Sequence, residues 1–174
     1  CCLDKAGQVL RPCILWNDTR SAQQAAVMDA DPQFRALTGN IVFPGFTAPK
    51  LAWIAAHEPE VFERTAKVLL PKDYLRLWLT GEAVSEMSDA SGTAWLDVGG
   101  RCWSPDLLAA TGLSLDHMPA LIEGTDVSGT LRPALAEELG LPANIPIAGG
   151  AGDNAASAIG LGTTGPGSAF ASLG

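Results

Sequence analysis

Positive charge is what this chain has least of. Its 11 lysines and arginines face 19 aspartates and glutamates, for a formal net charge of -8. That balance argues against a nucleic-acid or anionic-membrane partner, which calls for a basic face. Long apolar runs are missing as well, and none approaches the roughly 20 residues that a helix needs to cross a bilayer. Only two histidines occur, His57 and His117, far apart in sequence and neither beside an obvious nucleophile; surface or capping roles suit both. The four cysteines, Cys1, Cys2, Cys13 and Cys102, show no Cys-x-x-Cys spacing. With no nearby pair of histidines they form no zinc site. Free, mostly buried thiols in a reducing cytosol remain, so the expected location is cytoplasmic. Neither Gly-x-Ser-x-Gly nor His-Glu-x-x-His is present, and no metal ligands are assigned.

What the chain does have is a composition for folding: 47% of its 174 residues are hydrophobic, enough for one large domain or two small ones. It begins at Cys1 without methionine and stops at Gly174 just after an apolar run, and the expectation drawn from this is a segment of a longer protein. Partners are expected to be small molecules.

The stretch from Ile145 to Gly160 organises the rest. A short apolar run ends in Gly149-Gly150-Ala151-Gly152 and then delivers Asp153 at the mouth of an Ala-rich helical segment. Ligands in open α/β sheets sit outside the carboxyl ends of strands, and glycines there clear side chains from the backbone. Asp153 is therefore a candidate for chemistry. Locally, an Asp before a helix reads more economically as an N-cap, and both readings stand at this point.

The remaining elements follow from caps and periodicity. Cys1–Leu3 and Gln8–Leu10 flank Asp4-Lys5-Ala6-Gly7 as a β-hairpin, and a third strand is expected at Cys13–Trp16. The polar cluster Asn17-Asp18-Thr19-Arg20 comes next, placed either to touch a ligand or to cap the helix Ser21–Ala30, with Arg20 paired to an acid. Helices are expected at Pro32–Thr38, closed by Gly39, at Thr47–His57 with Thr47 as cap, at Pro59–Thr65, and at Pro71–Thr80. The last of these offers Tyr74, Leu75, Leu77, Trp78 and Leu79 as a broad apolar face. Residues 83–100 read as turns and short extended pieces. A helix opens at Ser104-Pro105 and stops at Gly112, a strand spans Val127–Leu131, a helix spans Pro133–Leu139, and a final strand is expected at Ser168–Leu173. The last third is thus α/β in pattern. Gly162-Thr163-Thr164-Gly165-Pro166-Gly167 lacks the lysine of a phosphate loop, and Pro166 offers no N–H, so it reads as a connecting turn.

Six segments in order resemble one family: Ile14-Leu15-Trp16-Asn17-Asp18-Thr19-Arg20; Leu37-Thr38-Gly39-Asn40; Pro44-Gly45-Phe46-Thr47-Ala48-Pro49-Lys50-Leu51-Ala52-Trp53; Leu70-Pro71-Lys72-Asp73-Tyr74-Leu75; Ser88-Asp89-Ala90-Ser91-Gly92-Thr93; and Gly150-Ala151-Gly152-Asp153-Asn154-Ala155. Together they are similar to the FGGY carbohydrate kinases, nearest to members that phosphorylate D-xylulose. Ala151 departs from the family's Gly-Gly-Gly-Asp pattern, and Ala56 stands where a polar residue is usual.

The resemblance implies an α/β fold, a partial actin-like, ribonuclease-H-like N-terminal lobe with a largely helical insertion at about 21–111 between β-rich ends at 1–20 and 125–174. It implies ATP as co-substrate with magnesium, and transfer of the γ-phosphoryl group to D-xylulose. Asp153 falls on the family's general base, Asn154 and Trp16 on sugar-contacting positions, and Asp18 and Arg20 in the same motif as Trp16. The family's first phosphate loop, its Met-His-Gly sugar segment and its adenosine lobe have no counterpart in these residues, and its second phosphate loop would begin near Gly174. The segment alone is expected to be inactive, and a homodimer is compatible with the family. Kinases for ribulose, gluconate or glycerol, and a non-catalytic sugar-binding module, stay open as alternatives.

Overall fold

The computed structural model describes residues 1–172. Strand β1 (Cys2–Leu3) turns back through Asp4, whose Oδ1 accepts from the N–H groups of Ala6 and Gln8 at 2.9 Å each. The hairpin expected there reduces to a single antiparallel bridge between Leu3 and Val9. Residues 13–16 form no strand. They join no ladder, follow Pro12, which has no N–H to give, and pass at Trp16 into a turn in which the Asp18 N–H donates to the Leu15 carbonyl at 3.2 Å.

Helix α1 (Ala22–Ala30) hands over directly to α2 (Pro32–Thr38) at Asp31. The Asp31 N–H closes the first helix on the Met28 carbonyl and its carboxylate caps the second by accepting from Gln33 N–H at 2.9 Å. Gly39 ends α2 in the left-handed region, φ 67°. Helix α3 (Thr47–His57) is capped by Phe46; Thr47 is its first helical residue, and no side chain closes that end. Then come α4 (Pro59–Arg64), with Thr65 as its C-cap, and strand β2 (Lys67–Val68), which pairs antiparallel with β1.

Helix α5 (Pro71–Thr80) buries a face opposite in character to the expected one. Leu75 and Trp78 are 54% and 46% exposed, while Asp73 and Arg76 are buried. One turn apart, these two share a face and neutralise each other there. After Gly81 come β3 (Val84–Glu86), the single-turn helix α6 (Met87–Ala90), and the hairpin of β4 (Leu96–Asp97) with β5 (Cys102–Trp103). Ser104 caps α7 (Pro105–Ala109), its hydroxyl accepting from the Leu107 N–H. Strand β6 (Ala120–Ile122) lies parallel to β3, and β7 (Val127–Thr130), α8 (Pro133–Leu139) and β8 (Pro146–Ala148) complete an antiparallel pair around a short helix. Helix α9 (Asp153–Gly160) follows.

The core gathers Ile14, Met28, Phe34, Leu51, Val68 and Trp95 with Leu107 and Leu108. Trp95 is buried with its indole N–H satisfied, donating to the Thr111 hydroxyl at 2.9 Å. The expected turn at 162–167 is present, with turns at 161–162 and 166–167 and irregular backbone between them, while 168–172 form no strand, since their backbone joins no ladder; Leu173 lies outside the described residues. No helix among the described residues is long and apolar enough to cross a membrane.

Candidate functional site

The first group of predicted residues sits where the chain leaves the core at Ile14. Trp16 stays 79% exposed, an arrangement that leaves a large apolar ring facing outward. Its backbone is pressed against the loop before α3: a side chain on Gly45 would meet the Trp16 carbonyl at 2.7 Å. The Gly45 carbonyl in turn accepts from the buried Lys50 ammonium at 2.6 Å, and burial lowers the Lys50 pKa. Asp18 and Arg20 are brought together as a pair. The Arg20 Nε and Nη donate to the Asp18 carboxylate at 2.8–3.0 Å, and its backbone N–H adds a bond of 2.9 Å. The Arg20 side-chain bonds, with the backbone one, hold the Asp18 carboxyl at a pKa of about 2. The same guanidinium lies 4.9 Å from the ring centroid of Trp53, which stacks on His57 at 4.5 Å. The other histidine, His117, completes a capping box with Ser114.

The second group sits where β8 turns into α9. Gly149 is confined by packing rather than by a ligand, because a Cβ there would lie 2.5 Å from the Glu123 carbonyl. Gly150 adopts φ 79°, in the left-handed region that favours glycine. The N-cap of α9 is Gly152, and Asp153 is the first helical residue. Asp153 is exposed, and its Oδ1 accepts from the N–H of Asn154 at 2.9 Å. A carboxylate in the first turn sits at the positive end of the helix dipole. The capping position thus passes to Gly152, and the Asp153 carboxylate faces outward.

Between these groups lies a buried ionic cluster that sequence reasoning missed. Arg76 donates to the Asp73 carboxylate at 2.8 Å, to the Val84 carbonyl at 2.7 Å, and to the Gly149 carbonyl. The Lys72 ammonium reaches Asp73 at 2.6 Å, Asp89 at 3.2 Å and Glu86 at 3.5 Å. The buried Glu86 carboxylate accepts from the N–H groups of Ser88 and Asp89 at 2.7 and 2.8 Å. Burial raises the Asp89 pKa, against the lowering effect of Lys72. The available signal was Asp73 and Arg76 three residues apart on a helix, but the surrounding leucines masked it.

Asp89 links the two predicted groups. Its Oδ1 lies 3.3 Å from where a Gly152 side chain would stand, and it shares with Trp16 and Lys50 the wall of a cavity of about 240 Å³. Asp18, Arg20, Asp153 and Asn154 do not line that cavity. The described residues offer magnesium no ligand set of their own. Among the described residues no group of three or more acidic, histidine or cysteine side chains is placed to hold a metal ion. Where carboxylates converge, at Asp73, Glu86 and Asp89, the Lys72 ammonium already sits among them.

Residues 1–160 match the model of the N-terminal domain of the FGGY family of carbohydrate kinases. The chain belongs to that family. Among curated FGGY relatives, the xylulose kinase of Escherichia coli strain K12 is 54% identical over 173 residues, covering 99% of this chain and 36% of that protein. The crystal structure of a xyloylose kinase from Brucella ovis superimposes with a TM-score of 0.91 at 64% identity, over 95% of this chain and 34% of that one. A gluconate kinase from Lactobacillus acidophilus reaches a TM-score of 0.87 at 25% identity, over 92% of this chain and 33% of that one. The fold is accordingly part of the N-terminal lobe of the FGGY kinases, with their actin-like, ribonuclease-H-like architecture. The chain spans about a third of the length of these FGGY relatives.

Proposed function

We propose that this chain is a segment of the N-terminal domain of an ATP-dependent kinase that converts D-xylulose to D-xylulose 5-phosphate, with β-rich ends around a mostly helical insertion at about 21–111. ATP supplies the γ-phosphoryl group when bound. Asp153 takes the proton from the acceptor hydroxyl as that oxygen bonds to phosphorus and the bond to ADP breaks. Phosphoryl transfer depends mainly on positioning and charge stabilisation, so one well-held carboxylate suffices as the base. Asn154 and Trp16 contact the sugar, Trp16 by covering an apolar face of it. Asp18 and Arg20, locked to each other, shape the rim beside Trp16.

The observation that carries this reading is the placement of Asp153, supported by the family match. Its carboxylate is exposed and, among the described residues, bonded only to the adjoining backbone N–H, on a helix start whose preceding residues are anchored to the buried Arg76 and to the Ser88 hydroxyl. A carboxylate with its lone pairs otherwise open is in a state to accept a proton.

A second reading keeps the chemistry and changes the sugar, because the fold is shared with a gluconate kinase at a TM-score of 0.87. A panel of D-xylulose, ribulose, gluconate and glycerol, assayed for ADP formation with the full-length protein, separates the two. D-xylulose is expected to give the highest kcat/KM, and a clear preference for another acceptor contradicts that choice. No sugar-dependent ADP formation at all would favour a sugar-binding module.

A further inference from the structure

We propose that Ser88 is a positioning residue for the Asp153 carboxylate, acting through the Gly152 N–H. The proposal rests on the reading of Asp153 as the base. Helix α9 buries none of its residues, so core packing does not set its direction. Its aim comes from the peptide segment that feeds it, and that segment is held at both ends. At one end Arg76 grips the Gly149 carbonyl. At the other, the Gly152 N–H donates to the Ser88 Oγ at 3.0 Å, immediately before Asp153.

The polarity of this second contact is fixed by chemistry. An amide N–H only donates, so Ser88 must present a lone pair to Gly152. Its one proton then goes to the Glu86 Oε2, 2.7 Å away. Both Glu86 oxygens act as acceptors here, since Oε2 and Oε1 also take the backbone N–H groups of Ser88 and Asp89 and Oε1 faces the Lys72 ammonium. The hydroxyl is therefore locked between a buried carboxylate and the helix cap and has no freedom to rotate. On its other side Gly152 lies against Asp89, where a Cβ would find side-chain and backbone atoms at 3.3–3.4 Å. Ser88 and Asp89 form a seat into which the start of α9 fits, and the seat is tied to α5 through Lys72 and Glu86. Loss of the hydroxyl leaves the Gly152 N–H unpartnered and lets the base shift. Misplacements of about 1 Å reduce catalysis by on the order of a hundredfold.

The test is a double-mutant cycle in the full-length protein with D-xylulose and ATP, on Ser88→Ala, Asp153→Asn and both together. Ser88→Thr and Ser88→Val accompany it as a pair of equal shape that differs in the hydroxyl. Ser88→Ala is expected to lower kcat roughly ten- to a hundredfold, with the KM for ATP little changed. Ser88→Thr recovers most of kcat and Ser88→Val does not. In the Asp153→Asn background Ser88→Ala adds no further loss, because there is no base left to aim. If Asp153→Asn collapses turnover while Ser88→Ala leaves it intact, the positioning role is overturned and the base assignment stands. Equal losses from Ser88→Ala in both backgrounds also overturn it, since the effect is then a general one. Near-normal turnover of Asp153→Asn removes the base assignment itself. Should Ser88→Ala fail to fold, equal kcat for the Thr and Val variants overturns the role.

Discussion

Asp73 and Arg76 face each other across one turn of α5 at 2.8 Å, with side chains only 1% and 6% exposed. The helix packs this ion pair inward, and the pair reaches onward to β3 and to the turn before α9. Breaking a buried pair strands the remaining charge and costs about 3–5 kcal/mol. Arg76→Ala and Asp73→Ala are each expected to lower the stability of the full-length protein by about that much in urea unfolding. The double replacement Asp73→Leu with Arg76→Met, which leaves no stranded charge, should cost less than the sum of the two single changes.

The Asp18 carboxyl is held at a pKa of about 2, against an ordinary value of 3.8, by its bonds from Arg20. Because the folded-state value is the lower one, the contribution of this pair is fully present above pH 3.8 and fades as the pH falls through about 2. Following the Asp18 side-chain carboxyl by NMR should give a midpoint near 2, and Arg20→Gln should return it toward 3.8. An unchanged midpoint in the variant would mean that Arg20 is not what holds it down.

Gly149 has no room for a side chain, since a Cβ would stand 2.5 Å from the Glu123 carbonyl and 3.1 Å from the Gly124 Cα. Both are backbone atoms of the neighbouring segment and cannot swing aside. Gly149→Ala is expected to lower stability by about 1–3 kcal/mol. Gly160→Ala, with nothing within 4 Å of the new methyl group, is the control and should be neutral or mildly stabilising in the same thermal unfolding experiment.

The helices were legible because their ends are written locally. Pro32, Pro59, Pro71 and Pro133 each open a helix, and Gly39, Gly81 and Gly140 close three of them in the left-handed region. Strands were less so. The partner of Cys2 is Val68, too distant for any local pattern to reveal, and an apolar run such as 13–16 becomes a strand only if something lies beside it. The apolar face expected on α5 failed for a related reason. Burial there is decided by a partner for Arg76 at Gly149, 73 residues away. At the candidate site, the small-residue run before Asp153 marked a helix start with an exposed carboxylate. The groups that hold that start, Arg76, Glu86 and Ser88, come from other elements and became visible only once the chain had folded.

One substitution tests directly whether Asp153 is the base of a sugar kinase. Asp153 is exposed and, among the described residues, bonded only to the next backbone N–H, so Asp153→Asn keeps the shape and is expected to change the thermal midpoint little. In the full-length protein, D-xylulose-dependent ADP formation should fall by about 10²–10⁴-fold, the usual contribution of a positioned acid or base. A folded Asp153→Asn protein that turns over at nearly the normal rate would show that Asp153 is not the base.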